Sequence, residues 1–234
     1  MISVCMPSYN GEKYIKDQLV SILDQLGPDD EVIISDDQSS DSTVEIIKGI
    51  NDARIKLFIN GDNLHYIKNV ENTLKHASGD YIFLADQDDI WVPNKVEITL
   101  NALKQYDLVM SDCYVTDSNL SILYESYYKL RKSQKNKFLA LALGSPYLGC
   151  CMAFRRSVLT KSLPFPDYIS SHDTWLGNVG AFLFKAKFLE DKLIYYRRHG
   201  GNASILAGTS KNPYWKRFLK RLDIVKGLLQ ISKN

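Results

Sequence analysis

The chain has 234 residues, 45% apolar and 24% charged, with a formal net charge of +2. That length holds one substantial core and leaves little room for a second domain, and the near-neutral charge supplies no general basic field for nucleic acid. No apolar run reaches the roughly 18–20 residues that would span a bilayer.

Taken in order, Ile2 to Met6 reads as a buried first strand, without the basic start and apolar stretch of a signal peptide. Tyr14, Ile15, Leu19, Ile22, Leu23 and Leu26 recur at helical spacing, and Gly27-Pro28 ends that helix. Glu31 to Ser35 is a second strand, and Ser42-Thr-Val-Glu45 reads as a capping box that opens a short helix. A third strand at Arg54 to Ile59 leads through a polar loop to a helix around Ile67 to Ala77. Tyr81 to Ala85 is an apolar fourth strand, Pro93 suits the first turn of a helix running to about Tyr106, and Asp107 to Ser111 is a fifth strand.

Beyond Cys113 the alternation weakens. Asn119 to Lys137 reads as a polar, tyrosine-rich insertion, Gly149 to Phe154 resumes strand character, and His172 to Phe184 looks helical. Leu193 to Tyr196 is a last short strand, and Pro213 to Ile231 a basic amphipathic helix. Strands alternating with helices predict an α/β fold with a mostly parallel central sheet flanked by helices. Cys5, Cys113, Cys150 and Cys151 have no metal-ligand spacing and read as reduced, buried thiols of a cytoplasmic protein.

In such sheets ligands bind beyond the carboxyl ends of the strands. There the sequence places Pro7-Ser8-Tyr9-Asn10, then Asp36-Asp37, then Asp86-Gln87-Asp88-Asp89. Several carboxylates at one sheet edge are costly unless a cation neutralises them. On an extended chain Asp86 and Asp88 project to the same side. They suit a hard divalent ion, Mg²⁺ or Mn²⁺, that keeps open positions for phosphate oxygens. The plainer alternative is that Asp88 or Asp89 caps a helix starting near Trp91.

Three stretches carry a resemblance. Ser3-Val-Cys-Met-Pro-Ser-Tyr-Asn-Gly11, Glu31-Val-Ile-Ile-Ser-Asp-Asp-Gln-Ser-Ser-Asp-Ser-Thr43 and Ser78-Gly-Asp-Tyr-Ile-Phe-Leu-Ala-Asp-Gln-Asp-Asp-Ile-Trp91 occur in the order and spacing of the family-2 glycosyltransferases. Over roughly its first 205 residues the chain resembles that family, whose fold is GT-A. The resemblance implies that Tyr9 lies against the nucleotide base, with backbone groups of Pro7 and Ser8 nearby. It implies that Asp36 or Asp37, with Asp36 favoured, bonds the base or ribose, and that Lys68 helps hold the nucleotide. Asp86 then approaches the ribose or donor sugar with Gln87 beside it, Asp88 is the metal ligand, and Asp89 supports the loop or touches the donor. On the plainer reading Tyr9 is an ordinary loop aromatic and Lys68 an exposed charge.

Inversion at an anomeric carbon needs a base opposite the diphosphate, hence from another segment. Ser171-His-Asp-Thr-Trp175 resembles the family's late acidic motif, with Asp173 in the position of the base and His172 replacing the more usual acidic neighbour; capping a helix is the other role open to Asp173. Tyr195-Tyr-Arg-Arg-His-Gly-Gly-Asn-Ala-Ser204 suits a segment closing on a diphosphate. Its resemblance implies His199 at the metal or pyrophosphate, with Arg197 or Arg198 assisting. The expected organisation is a GT-A domain over residues 1–205 (nucleotide half 1–112, acceptor half 113–205), then a flexible segment and the basic helix over 206–234.

The function implied is an inverting, metal-dependent transfer of one hexosyl or rhamnosyl unit from a UDP- or dTDP-sugar to a glycan acceptor, on a lipid carrier. The setting implied is O-antigen, lipopolysaccharide or capsule biosynthesis. The C-terminal helix suits contact with the inner face of the membrane, or packing on the protein or a second subunit. A sugar-nucleotide synthase would carry a glycine- and arginine-rich loop after the first strand, which is absent. A processive synthase would need membrane spans, and a non-catalytic nucleotide-sugar binding module would not need the acidic motifs.

Overall fold

Alternation of apolar side chains along the first strands sorts the core to two sides of one sheet. In the computed structural model, which describes residues 1–133, 135–200, 202 and 214–232, the first half comprises β1 (Ile2–Ser8), α1 (Ile15–Leu23), β2 (Glu31–Asp36), α2 (Thr43–Ile50), β3 (Ile55–Ile59), α3 (His65–His76) and β4 (Tyr81–Leu84). The second half comprises β5 (Ile90–Trp91), α4 (Lys95–Leu103), β6 (Leu108–Thr116), β7 (Ile122–Tyr124), α5 (Tyr127–Arg131), α6 (Lys137–Leu143), β8 (Met152–Arg155), α7 (Arg156–Ser162), α8 (His172–Leu183), β9 (Ala186–Arg197) and α9 (Tyr214–Ser232).

The sheet order is β3-β2-β1-β4-β8-β6-β9-β5, with β7 paired to β6. β1 to β4 pair in parallel, as do β6 and β9, whereas β8, β5 and β7 run against their neighbours. Val4 and Met6 face the side covered by α1, α2 and α4, where they join Leu19, Ile47 and Leu103. Cys5 faces the opposite side, where α3, α7, α8 and α9 contribute Leu74, Leu159, Trp175 and Leu228. Cys5, Cys113, Cys150 and Cys151 are all buried, and none forms a disulfide. The α/β fold expected from the sequence is thus present, as is the C-terminal helix, but the sheet is mixed, parallel in its first half and largely antiparallel in its second.

Several local expectations change. Ser42 precedes α2 but its side chain makes no capping bond; Asp41 accepts from the Thr43 amide instead, at 3.0 Å. No helix starts near Trp91, because Ile90 and Trp91 pair with Tyr195 and Ile194 of β9. α4 begins at Lys95, so neither Asp88 nor Asp89 caps it. β6 and β9 extend well beyond the short apolar runs that marked them. Polar residues such as Glu190 and Lys192 in β9 mask a long strand whose pattern emerges only on pairing. The expected flexible segment falls largely outside the described residues.

Candidate active site

The carboxyl ends of β1, β2 and β4 meet at one edge of the sheet. Gln87 ties two of these ends together: its Oε1 accepts from the Tyr9 amide at 3.0 Å and its Nε2 donates to the Tyr9 carbonyl at 2.9 Å. Gly11 makes this possible, because a Cβ there would overlap the Gln87 side-chain amide. Asp36 is fully buried and accepts from the hydroxyls of Ser8 and Ser39, each at 2.7 Å. It holds the β1 and β2 loops together from below. Asp37 accepts from the Leu64 amide at 2.7 Å and from Asn60 at 3.0 Å.

Above these groups lies a cavity of about 510 Å³, lined by Pro7, Ser8, Tyr9, Asp37, Asp86, Gln87 and Asp88. Asn63, His65, Tyr66, Asn69, Tyr196 and Asn202 complete its wall. Tyr9 presents its ring at 51% exposure, so it is available to a flat ligand. The sequence alone does not pick out the second group. Asn63, His65, Tyr66 and Asn69 come from the turn into α3, where polar residues look like ordinary loop and helix-start surface. The positive φ of His65, +59°, is a conformation few non-glycine residues adopt, and it has no signature in the sequence.

The acidic loop divides its carboxylates. Removal from water, reinforced by the charges of Asp88 and Asp173, pushes Asp86 up to about 7. Asp89 is fully buried, and burial with the charges of Asp88 and Asp86 raises it as well, against the Arg197 amide and the Cys150 thiol. Its Oδ1 accepts from the Arg197 amide at 3.0 Å, while its Oδ2 has no nitrogen or oxygen partner among the described residues. Asp88 Oδ2 lies 2.8 Å from His199 Nε2 and accepts from Asn202 Nδ2 at 2.9 Å. Arg197 is buried, donates from Nε to the Asp88 carbonyl at 2.9 Å, and stacks over Tyr14 at 4.7 Å. β9 therefore supports the acidic loop from behind.

These residues fit a divalent cation. Clustered carboxylates with raised proton affinity, and an Asp89 oxygen lacking a strong donor, mark uncompensated negative charge. Carboxylate oxygens suit Mg²⁺ or Mn²⁺. Donor atoms of Asp86, Asp89 and Cys150 lie within 4.8 Å of one another, which brings to the acidic loop a thiol that no sequence pattern connects with it.

Asp173 approaches from the other half of the chain. Ser171, not Asp173, caps α8, its hydroxyl accepting from the Thr174 amide at 3.4 Å. That leaves the Asp173 carboxylate to contact His172 Nε2. Burial opposes a charge on His172, but Asp173 and then Asp86 outweigh it and raise the imidazole above its ordinary value. The His172 ring lies 4.8 Å from that of Tyr66, which lines the cavity. Gly149 permits the pair, since a Cβ there would come within 2.7 Å of both Asp173 Oδ1 and His172 Nε2.

Not every residue singled out in the sequence reaches the cavity wall. Asp36, Lys68, Asp173, Arg197 and His199 are not among its lining residues. Lys68 points to carboxylates instead, pairing with Asp167 at 2.9 Å and Glu71 at 3.1 Å.

Residues 3–163 match the model of the family described as Glycosyl transferase family 2. An Escherichia coli UDP-Glc:alpha-D-GlcNAc-diphosphoundecaprenol beta-1,3-glucosyltransferase is 30% identical, across 75% of this chain and 68% of its own. The putative teichuronic acid biosynthesis glycosyltransferase of Bacillus subtilis is 28% identical, across 100% of this chain and 95% of its own. In fold, the chain is similar to Staphylococcus aureus TarS residues 1–349 in complex with UDP-GlcNAc, with a TM-score of 0.73 and 21% identity over 96% of this chain. It also aligns with a Pyrobaculum calidifontis mannosyltransferase in complex with GDP-Man and Mn²⁺, with a TM-score of 0.62 and 17% identity over 99% of this chain. It spans 66% and 63% of those two solved chains. The matched segment carries both the Tyr9 loop and the Asp86-Gln87-Asp88-Asp89 loop, and on this ground the chain belongs to glycosyl transferase family 2.

Proposed function

We propose that this chain is a metal-dependent, inverting glycosyltransferase that moves one sugar from a UDP- or dTDP-sugar to a glycan acceptor in the assembly of a bacterial cell-surface polysaccharide. The observation that carries this reading is the sharing of one cavity by Tyr9, Asp37, Asp86 and Asp88, with Asp173 from a distant segment acting on the charge of Asp86. A nucleotide fits between Tyr9 and Asp37, and its diphosphate falls toward Asp86 and Asp88. Asp88, with His199 behind it, would hold the metal, which when bound neutralises the departing diphosphate.

Asp173 would remove the proton of the acceptor hydroxyl. Its contact with His172 fixes the orientation of its carboxylate. On this reading residues 1–112 form the nucleotide half and 113–205 the acceptor half. The names of relatives support the substrate classes: one uses a UDP-sugar and a diphosphoundecaprenol-linked acceptor, and another acts on an undecaprenol-diphosphate acceptor. The reading sets the reaction at the inner face of the membrane, where a nucleotide-sugar donor and a lipid-linked acceptor can meet.

The decisive experiment is a thermal-shift panel of UDP-, dTDP- and GDP-sugars with and without Mn²⁺, followed by transfer assays on the donor that stabilises most. A ligand at a hundred times its Kd stabilises by about 2.7 kcal/mol. Absence of any shift across the panel would remove the nucleotide-sugar reading, and stabilisation by a nucleoside triphosphate with a sugar phosphate would turn it toward a sugar-nucleotide synthase. Binding without turnover on any glycan acceptor would turn it toward a non-catalytic binding module.

A further inference from the structure

α9 has apolar side chains on two opposite sides. Ile224 and Leu228, four residues apart, are buried at 5% and 8% exposure within the α3, α7 and α8 side of the core. Gly227 lies between them, where a Cβ would come within 2.7 Å of the Trp175 ring, and Gln230 accepts from the Tyr168 hydroxyl at 2.9 Å. The C-terminal half of the helix is therefore seated on the body of the protein.

The other side is uncovered among the described residues. Trp215, Phe218, Leu219 and Leu222 follow the i, i+3, i+4, i+7 spacing of a single helix face and are 60%, 57%, 48% and 46% exposed. Leu229, one heptad beyond Leu222, continues the stripe at 58%. Leu222 and Ile224 are two positions apart, which on a helix turns their side chains by roughly 200° and sets them on opposite faces. Seating the helix through Ile224 and Leu228 thus presents this stripe outward.

Charge identifies the occupant. Residues 214–232 hold Lys216, Arg217, Lys220, Arg221 and Lys226 against the single acid Asp223, so the helix carries +4 while the whole chain carries +2. The remainder of the chain is net negative. A basic, apolar-faced helix on a near-neutral body suits an anionic surface with an apolar interior, and that combination is a bilayer containing acidic phospholipid. A second copy pairing through the same helix would bring no such match, since it would set like charge against like.

We propose that the N-terminal half of α9 lies in the interface of an anionic membrane, with Trp215, Phe218, Leu219 and Leu222 entering the acyl boundary and Lys216 and Lys220 within a Debye length of the headgroups, roughly 10 Å. The C-terminal half stays docked and so fixes the orientation of the cavity to the bilayer. This deepens the reading of a lipid-carried acceptor without depending on glycosyl transfer.

The test is flotation of the full chain with vesicles of phosphatidylcholine alone or with phosphatidylglycerol at about one lipid in three, with no sugar donor present. Binding is expected only to the acidic vesicles and should fall as salt rises. Trp91 and Trp175 are buried at 2% and 0%, so a blue shift of tryptophan emission on binding reports Trp215 and should vanish in Trp215→Ala. Phe218→Ser with Leu222→Ser, and separately Lys216→Glu with Lys220→Glu, should each weaken vesicle binding by about tenfold or more. Both variants should retain the circular dichroism and the nucleotide thermal shift of the parent, which shows that the body is intact. Equal binding to neutral and acidic vesicles, no binding to either, or a dimer in solution that the Phe218→Ser/Leu222→Ser variant dissociates would each overturn the proposal. Loss of transfer activity with vesicle binding intact would count against the proposed function alone.

Discussion

His199 Nε2 stands 2.8 Å from Asp88 Oδ2 across a separation of 111 residues, and this contact joins the acidic loop to the end of β9. It makes the two residues a unit. Asp88→Ala is expected to remove metal-dependent turnover by at least ~100-fold, and His199→Ala to raise the Mn²⁺ concentration needed for half-maximal activity by about tenfold or more. A metal titration of donor turnover checks both. Unchanged metal dependence in Asp88→Ala would remove Asp88 from the role of ligand.

Asp173 is freed from capping by Ser171. Asp173→Asn keeps the shape of the side chain and discards its basicity. It should therefore lower transfer by ~10²–10⁴-fold while leaving the UDP thermal shift within error of the parent. Normal turnover in this variant would assign the base elsewhere.

Gln87 and Gly11 offer a test of the nucleotide loop. In Gly11→Ala the new methyl would displace the end of the Gln87 side chain, which is flexible enough to swing away at little cost to the fold. The two bonds to Tyr9 would be lost with it. UDP affinity should fall by roughly three- to tenfold, at about 1 kcal/mol for a hydrogen bond, and Gln87→Ala should do the same. Titration calorimetry with UDP reads the effect, alongside a melting temperature close to that of the parent.

His172 gives the pH dependence a sign. Its folded value is raised above the ordinary imidazole value by Asp173 and Asp86, against the opposing effect of burial. The folded state therefore binds the proton more tightly than the unfolded chain does. The stabilisation is complete below about pH 6.5 and is lost as pH rises through the folded value. Melting temperatures from about pH 5.5 to 8.5 should show the parent losing stability across that window relative to His172→Gln. Parallel curves for the two proteins would show that His172 does not couple protonation to folding.

Much of the architecture was legible in local pattern. Short apolar runs such as Val32-Ile33-Ile34 and Ile82-Phe83-Leu84, each set among helices, mark a parallel half-sheet, because a strand covered on both faces has no polar alternation. The acidic loop was legible too, since a strand running into Asp86, Asp88 and Asp89 has few structural uses. β9 was legible only at its end, Leu193 to Tyr196: Lys187, Glu190, Asp191 and Lys192 hide its earlier part, which pairing with β6 makes a strand.

The sequence by itself determined the order in which chemical groups follow the strands of the first half, and the residue types at each strand end. Tertiary structure alone decided how those residues divide their work. Asp36 turns inward to the serines while Asp37 faces the cavity, Lys68 turns to Glu71 and Asp167, and Ser171 takes the cap that was open to Asp173. Each outcome is a choice between partners near in sequence and partners near in space. The choice rests on burial and hydrogen-bond geometry between segments up to 114 residues apart, which no local pattern encodes.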